Sequence, residues 1–209
     1  MYVTTDSVAV SCSPEEGLRV VLVRRGNPPF VGRWALPGGF VEPEEDLPDG
    51  CARELAEETG LKAAQLVQIG AWGEPGRDPR GRNVSVAYLA LVRSDGAELR
   101  AGDDAAAADW HRANQLPRLA FDHALIVAAG LEKLRSLAGG THVIFGLLPE
   151  EFRMDQLRDA LSRVRGELVT EQEALAFAKT ARVVRLPGAT SREGDRFRCA
   201  VTDLLTPLR

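Results

Sequence analysis

The chain has 209 residues, a formal net charge of −4, 44% hydrophobic and 27% charged residues, a composition of ordinary globular proteins that excludes a fibrous repeat, a disordered tail and a strongly basic nucleic-acid binder. Its length suits a catalytic domain of about 140 residues with a small appendage. The three widely spaced cysteines, the absence of a basic leader before Val10 and the lack of any run of about 18 apolar residues point to a reduced, cytoplasmic protein with no membrane partner.

In chain order, Asp6–Ser11 and Leu18–Arg24 are β-branched runs around a Pro/Glu/Gly turn, which predicts a hairpin. Asn27–Gly39 is rich in Pro and Gly and reads as irregular. Cys51–Thr59 has helical composition, with Gly60 as its left-handed stop. Ala64–Trp72 and Asn83–Arg93 read as strands flanking a charged loop, Gly73–Arg82. Leu125, Ala128, Ala129, Leu131 and Leu134 carry the spacing of an amphipathic helix over Phe121–Leu137. Gly139-Gly140 marks the expected boundary between a domain at 1–140 and another at 141–209. Beyond it, helices are expected over Pro149–Val164 and Thr170–Thr180, and strands over Arg182–Leu186 and Arg196–Thr202. Helix, helix, hairpin is the outline of a small winged-helix-like unit.

The chemistry concentrates in one segment. Five residues separate Gly39 from Glu45, and seven separate Glu45 from Arg53-Glu54-Leu55-Ala56-Glu57-Glu58-Thr59-Gly60-Leu61. On a helix, Glu54, Glu57 and Glu58 share one face, and like charges so placed call for a compensating cation. Arg53 is expected to point to another side. Clustered carboxylates suit Mg²⁺ or Mn²⁺, which keep waters and bridge to substrate phosphates. The competing reading is a plain solvated acidic face.

This stretch resembles the Nudix box of the Nudix hydrolase family at every defining position. The resemblance implies an α/β fold, a Nudix α/β/α sandwich with a mixed sheet. It makes Glu54, Glu57 and Glu58 metal ligands, Arg53 an orienting partner and Glu45 a supporting acid. Gly39 would allow a tight turn beside the metal, and main-chain carbonyls of Ala35–Gly38 would complete the coordination. A general base is expected outside the box, at Asp104 or Asp103.

Arg77, Arg80 and Arg82 stand within six residues, and guanidinium forks suit phosphate oxygens. The run from Gly76 to Leu91, with Leu119-Ala120-Phe121-Asp122-His123, is similar to the ADP-ribose-handling branch of the family. It implies ADP-ribose as ligand and AMP plus ribose 5-phosphate as products, with Arg24, Gly38, Gly39, Arg77, Asp78 and Arg80 as substrate contacts. Trp72 is the tryptophan placed nearest that loop. The same motifs, with Leu147–Phe152, also resemble Nudix-related transcriptional regulators of NAD metabolism. Those imply a homodimer that binds DNA through its C-terminal unit, here through Arg182, Arg185, Arg192, Arg196 and Arg198. The helix Thr170–Thr180, with Lys179 as its single basic residue, departs from a basic reading helix. The intact box favours the hydrolase.

Overall fold

The computed structural model describes residues 1–100, 105–187 and 195–208, with the side chains of 105 and 106 excepted. A mixed sheet is built on β1 (Tyr2–Ser13), whose residues from Thr4 onward are buried because both faces of the sheet are covered. It runs parallel to β6 (Asn83–Leu91), from Tyr2 opposite Asn83 to Val10 opposite Leu91. On its other edge two partners follow one another. The turn at Gly17 returns β2 (Gly17–Arg25) antiparallel along Val10–Ser13. The short β4 (Gly38–Phe40) then takes the vacated stretch, with Thr4 opposite Phe40 and Asp6 opposite Gly38. That handover fixes the loop before the acidic helix against Asp6.

β3 (Trp34–Ala35) and β7 (Ala105–Arg112) flank β2, and β5 (Gln65–Trp72) flanks β6. The mixed sheet and α/β class expected from the sequence are what the chain forms. Two readings change. The Pro/Gly-rich segment yields β3 and β4, whose pairing comes from neighbours rather than from local propensity. The stretch from Ala105 to Arg112, for which the sequence predicts no element, forms β7.

Helix α1 (Leu47–Thr59) begins a turn earlier than expected. Asp46 caps it by accepting from Leu47 N–H, and Pro48 occupies the first turn, where its missing N–H costs nothing. Gly60, at φ 73°, ends it with its N–H on the Ala56 carbonyl. Leu55 buries against Ala9, Val21, Ala90 and Val92, each such side chain contributing roughly 2 kcal/mol. The opposite face of the strands, Val8, Val10, Leu22, Leu89 and Leu91, packs on α2 (His123–Ala138). The sheet is therefore sandwiched.

After α2 come a buried 3₁₀ turn (Val143–Gly146), α3 (Met154–Arg165), α4 (Glu171–Thr180) and a hairpin of β8 (Val183–Arg185) with β9 (Phe197–Cys199). Thr170 and Glu173 cap α4 reciprocally. One apolar cluster runs from Val8 through Phe145, Leu157 and Phe177 to Leu204. Among the described residues no helix is long and apolar enough to cross a membrane.

Candidate active site

The acids of α1 do not share one environment. Arg53, expected to point elsewhere, folds back among them: it gives two hydrogen bonds to Glu45 (2.8 and 3.0 Å), one to Glu54 (2.9 Å) and one to Glu57 (3.1 Å). A long side chain on a helix reaches both the next residue and the next turn, which a one-face projection leaves out. Its remaining contact is the Phe40 carbonyl at 3.1 Å, which ties α1 to β4. Glu57 stays largely in solvent. Glu54 and Glu58 are half-buried and turn toward Gly39 and Gly38. A Cβ on Gly39 would collide with the Glu54 carboxylate, and the Gly38 N–H donates to Glu58 at 3.0 Å.

Burial pushes Glu58 up to about 7, against the Gly38 hydrogen bond, and the charges of Glu54 and Asp6 push the same way. Burial also raises Glu54, despite Arg53. Two crowded carboxylates short of compensating charge are a hard-oxygen donor pair that a divalent cation would relieve, so this donor chemistry fits Mg²⁺ or Mn²⁺. Among the described residues no three acidic, His or Cys side chains enclose a metal unaided. The fit therefore leaves positions to water and to phosphate oxygens, as Mg²⁺ prefers.

Next to Gly38 and Gly39 lies a cavity of about 320 Å³, which shares Arg25, Asn27, Leu36 and Gly38 with a 120 Å³ hollow bordered by Glu58. Arg25, Arg80, Phe40 and Phe121 form its wall. Arg80 lies over the Phe40 and Phe121 rings at 5.5 and 5.7 Å, and Arg25 over Phe121 at 4.9 Å. Burial lowers the pKa of Arg25, and the nearby Arg80 lowers it further. Two cations are thus held near each other on aromatic faces, an arrangement suited to an anion with a flat ring. Phe121 adopts φ 51° and meets Phe30, at φ 63°, edge-on at 4.9 Å. Left-handed backbone at bulky residues costs energy and concentrates at functional sites.

Asp6 sits at the back of the cavity, buried. It accepts from the Ser85 hydroxyl and lies 3.7 Å from Arg77 and 3.6 Å from His123 Nε2. His123 Nδ1 accepts the Leu36 N–H at 2.9 Å, and burial lowers its pKa, so the ring is neutral with its proton on Nε2.

Gly38, Gly39, Arg77, Asp78 and Arg80 all border the cavity. Arg77 is not free there: its guanidinium is buried and paired with Asp122 at 2.6 and 2.8 Å. Asp78 is buried and grips Arg80. Arg24 borders the smaller hollow, exposed, with Nε on the Gly32 carbonyl. Asp103 and Asp104 lie outside the described residues, as does Arg192. Arg182, Arg185, Arg196 and Arg198 lie on and beside the β8–β9 hairpin, Arg185 paired with Asp195. Among the described residues no tryptophan lines the cavity; Trp72 packs against the core, and Trp110 donates to the Ala97 carbonyl. Sequence reasoning missed Asp6, Arg25, Phe40 and Phe121 as pocket residues. The one signal available for Phe121 was its place in the Leu-Ala-Phe-Asp-His motif.

The NUDIX domain family model matches residues 4–129. An ADP-ribose pyrophosphatase of Methanocaldococcus jannaschii is 44% identical over 121 residues, 58% of this chain and 70% of that protein. An ADPR responsive transcriptional repressor, NtrR, of Acinetobacter baylyi is 31% identical over 166 residues, 78% of this chain and 66% of that one. Two crystal structures of Shewanella oneidensis NrtR, one complexed with a 27mer DNA, superpose with TM-scores of 0.85 and 0.82. Both are 26% identical, covering 99% and 97% of this chain and 97% and 95% of theirs.

Proposed function

The chain belongs to the NUDIX domain family, and from that premise we propose that it hydrolyses the diphosphate of a nucleoside diphosphate derivative, ADP-ribose, to AMP and ribose 5-phosphate. The observation that carries this reading is Glu58, hydrogen-bonded to Gly38 and bordering the small hollow, one turn from Glu54 and next to a cationic, aromatic cavity that Gly38 also lines. Glu54 and Glu58, with Glu57 from the solvent side, would hold Mg²⁺ or Mn²⁺, which supplies charge neutralisation and an activated water at a phosphoanhydride. Arg53 holds Glu54 in place and locks α1 to β4. Arg25 and Arg80 face the diphosphate, and the Phe40 and Phe121 rings beneath them hold the two guanidinium groups at the cavity wall. Asp78 fixes Arg80, and Asp104 is the proposed general base. The relative from M. jannaschii, named for ADP-ribose, supports the substrate. Incubation with ADP-ribose and Mg²⁺ tests the reading: AMP appears with the native chain and not with Glu58→Gln.

The match to NrtR over nearly the whole chain favours a second reading, an ADP-ribose-responsive DNA-binding regulator. Here residues 141–209 form a winged-helix-like unit, and Arg182, Arg185, Arg192, Arg196 and Arg198 meet phosphates. The assembly would be a cytoplasmic homodimer, to which the exposed Tyr2 and Phe40 give an apolar patch and the unpaired cysteines a reducing setting. A gel shift on the gene's own upstream DNA, with and without ADP-ribose at two salt concentrations, tests it. Unchanged mobility throughout would exclude it.

A further inference from the structure

Four separate segments converge on the buried Asp6 carboxylate: β6 through the Ser85 hydroxyl, the arginine loop through Arg77, the start of α2 through His123, and the box loop through Gly38. Gly38 is pressed so closely on Asp6 that an added Cβ would lie 2.9 Å from the carboxylate. His123 is the member that reaches both ways. Its Nε2 faces Asp6, and its Nδ1 holds the Leu36 N–H, two residues before Gly38. The neighbouring hydrogen bond, Ser7 N–H to the Pro37 carbonyl at 2.8 Å, fixes the next peptide against β1. The Phe121 ring stacks on the imidazole at 5.1 Å, so the same histidine supports the aromatic cavity wall. With Nδ1 accepting and Nε2–H turned to Asp6, the ring has no lone pair left to take a proton from water, which excludes it as a base.

We propose that His123 is a positioning residue that, as the neutral Nε2–H tautomer, locks Leu36–Gly39 against Asp6. The loop bearing Gly38 and the loop bearing Arg77 and Arg80 thereby share one anchor. The inference rests on the functional reading above in one respect: the box loop is the part that sets the carboxylates against the cation. It deepens that reading by assigning the register between cation and ligand to a group in the cavity lining that holds both loops in place. Partners behind a site's ligands set its affinity by fixing their orientation.

The test begins on the native chain. ¹⁵N NMR of the imidazole should show an acceptor-type Nδ1 and a protonated Nε2; a protonated Nδ1 overturns the proposal. His123→Asn places an acceptor near the Nδ1 position, whereas His123→Leu removes it. With Mn²⁺ as probe, calorimetry should find binding to His123→Leu weakened about tenfold or more and binding to His123→Asn within about threefold of the native chain. Equal affinity in all three, or equal loss in both variants, overturns the proposal. If His123→Leu does not fold, His123→Ala, which removes the acceptor without adding apolar bulk, takes its place in the comparison with His123→Asn. These readouts need no turnover. A chain that yields no AMP yet shows the acceptor Nδ1 and the Leu/Asn split refutes the hydrolase reading and leaves the positioning role standing.

Discussion

Asp122 occupies the N-cap position of α2 but does not cap it; both of its carboxylate oxygens go to Arg77, at 2.6 and 2.8 Å. A residue type that usually satisfies a helix's first N–H groups here ties the arginine loop to the helix instead. The pair is almost fully withdrawn from solvent on the arginine side. Removing one partner leaves a buried charge uncompensated. Arg77→Ala should therefore destabilise the chain by about 3 kcal/mol in urea unfolding. Replacing both residues with leucine should recover most of that loss, and a failure to recover would deny that the buried charge is the cause.

The box carboxylates divide by role. Glu58→Gln keeps the volume and removes the charge, and should cost about three powers of ten in AMP formation, roughly 4 kcal/mol in transition-state stabilisation. Glu57→Gln, at a solvent-exposed position, should cost far less. ADP-ribose binding measured without metal should be little altered in either.

Glu58 also sets a pH dependence. Burial in the folded chain pushes its pKa up to about 7, from 4.5 for an ordinary glutamate. A cation must displace that proton, so the half-saturating Mg²⁺ concentration should rise about tenfold for each pH unit below about 7. The metal-free chain shows the opposite face of the same linkage. The unfolded chain releases the proton first, so Glu58's contribution to stability falls as pH rises from 4.5 to about 7. Thermal melts with EDTA should show this slope, and Glu58→Gln should lose it.

The cavity wall predicts ligand affinity. Phe121→Ala removes a ring that faces both Arg25 and Arg80, and should weaken ADP-ribose binding about tenfold, close to 1.4 kcal/mol. Phe121→Tyr keeps the ring face and should bind nearly as the native chain does. Calorimetry distinguishes the two.

For the regulator reading, Arg196 and Arg198 carry no ion pair among the described residues, whereas Arg185 is held by Asp195. Substituting Arg196 and Arg198 with alanine should reduce the slope of log affinity against log salt by about 2 on duplex DNA. An unchanged slope would place the DNA contacts elsewhere.

The part of this site that could be read from the sequence is the part written contiguously. The box fixed α1, its glycine stop and the acids, because each rests on spacing along one helix. Arg53 among the acids followed from the family resemblance and not from the helical projection, since its reach to Glu54 and Glu57 depends on rotamer rather than on helical face. Asp6, Arg25, Phe40 and Phe121 escaped for a deeper reason. They come from β1, β2, β4 and the α2 entry, and only the sheet register brings them together. The strands at 34–35, 38–40 and 105–112 were hidden likewise, their pairing supplied by β1 and β2 rather than by local composition.

The close approach at Gly146 reaches beyond packing. An added methyl there would strike Leu91 of the sheet and Leu204 near the chain's end, at 2.8 and 2.9 Å. With no slack at that seam, the segment after α2 cannot peel off as a loose tail without baring Leu91 and the floor of α2 to water. Heat or denaturant should thus melt catalytic half and tail in one step, and whatever strains the hairpin is borne by the frame that holds the acids.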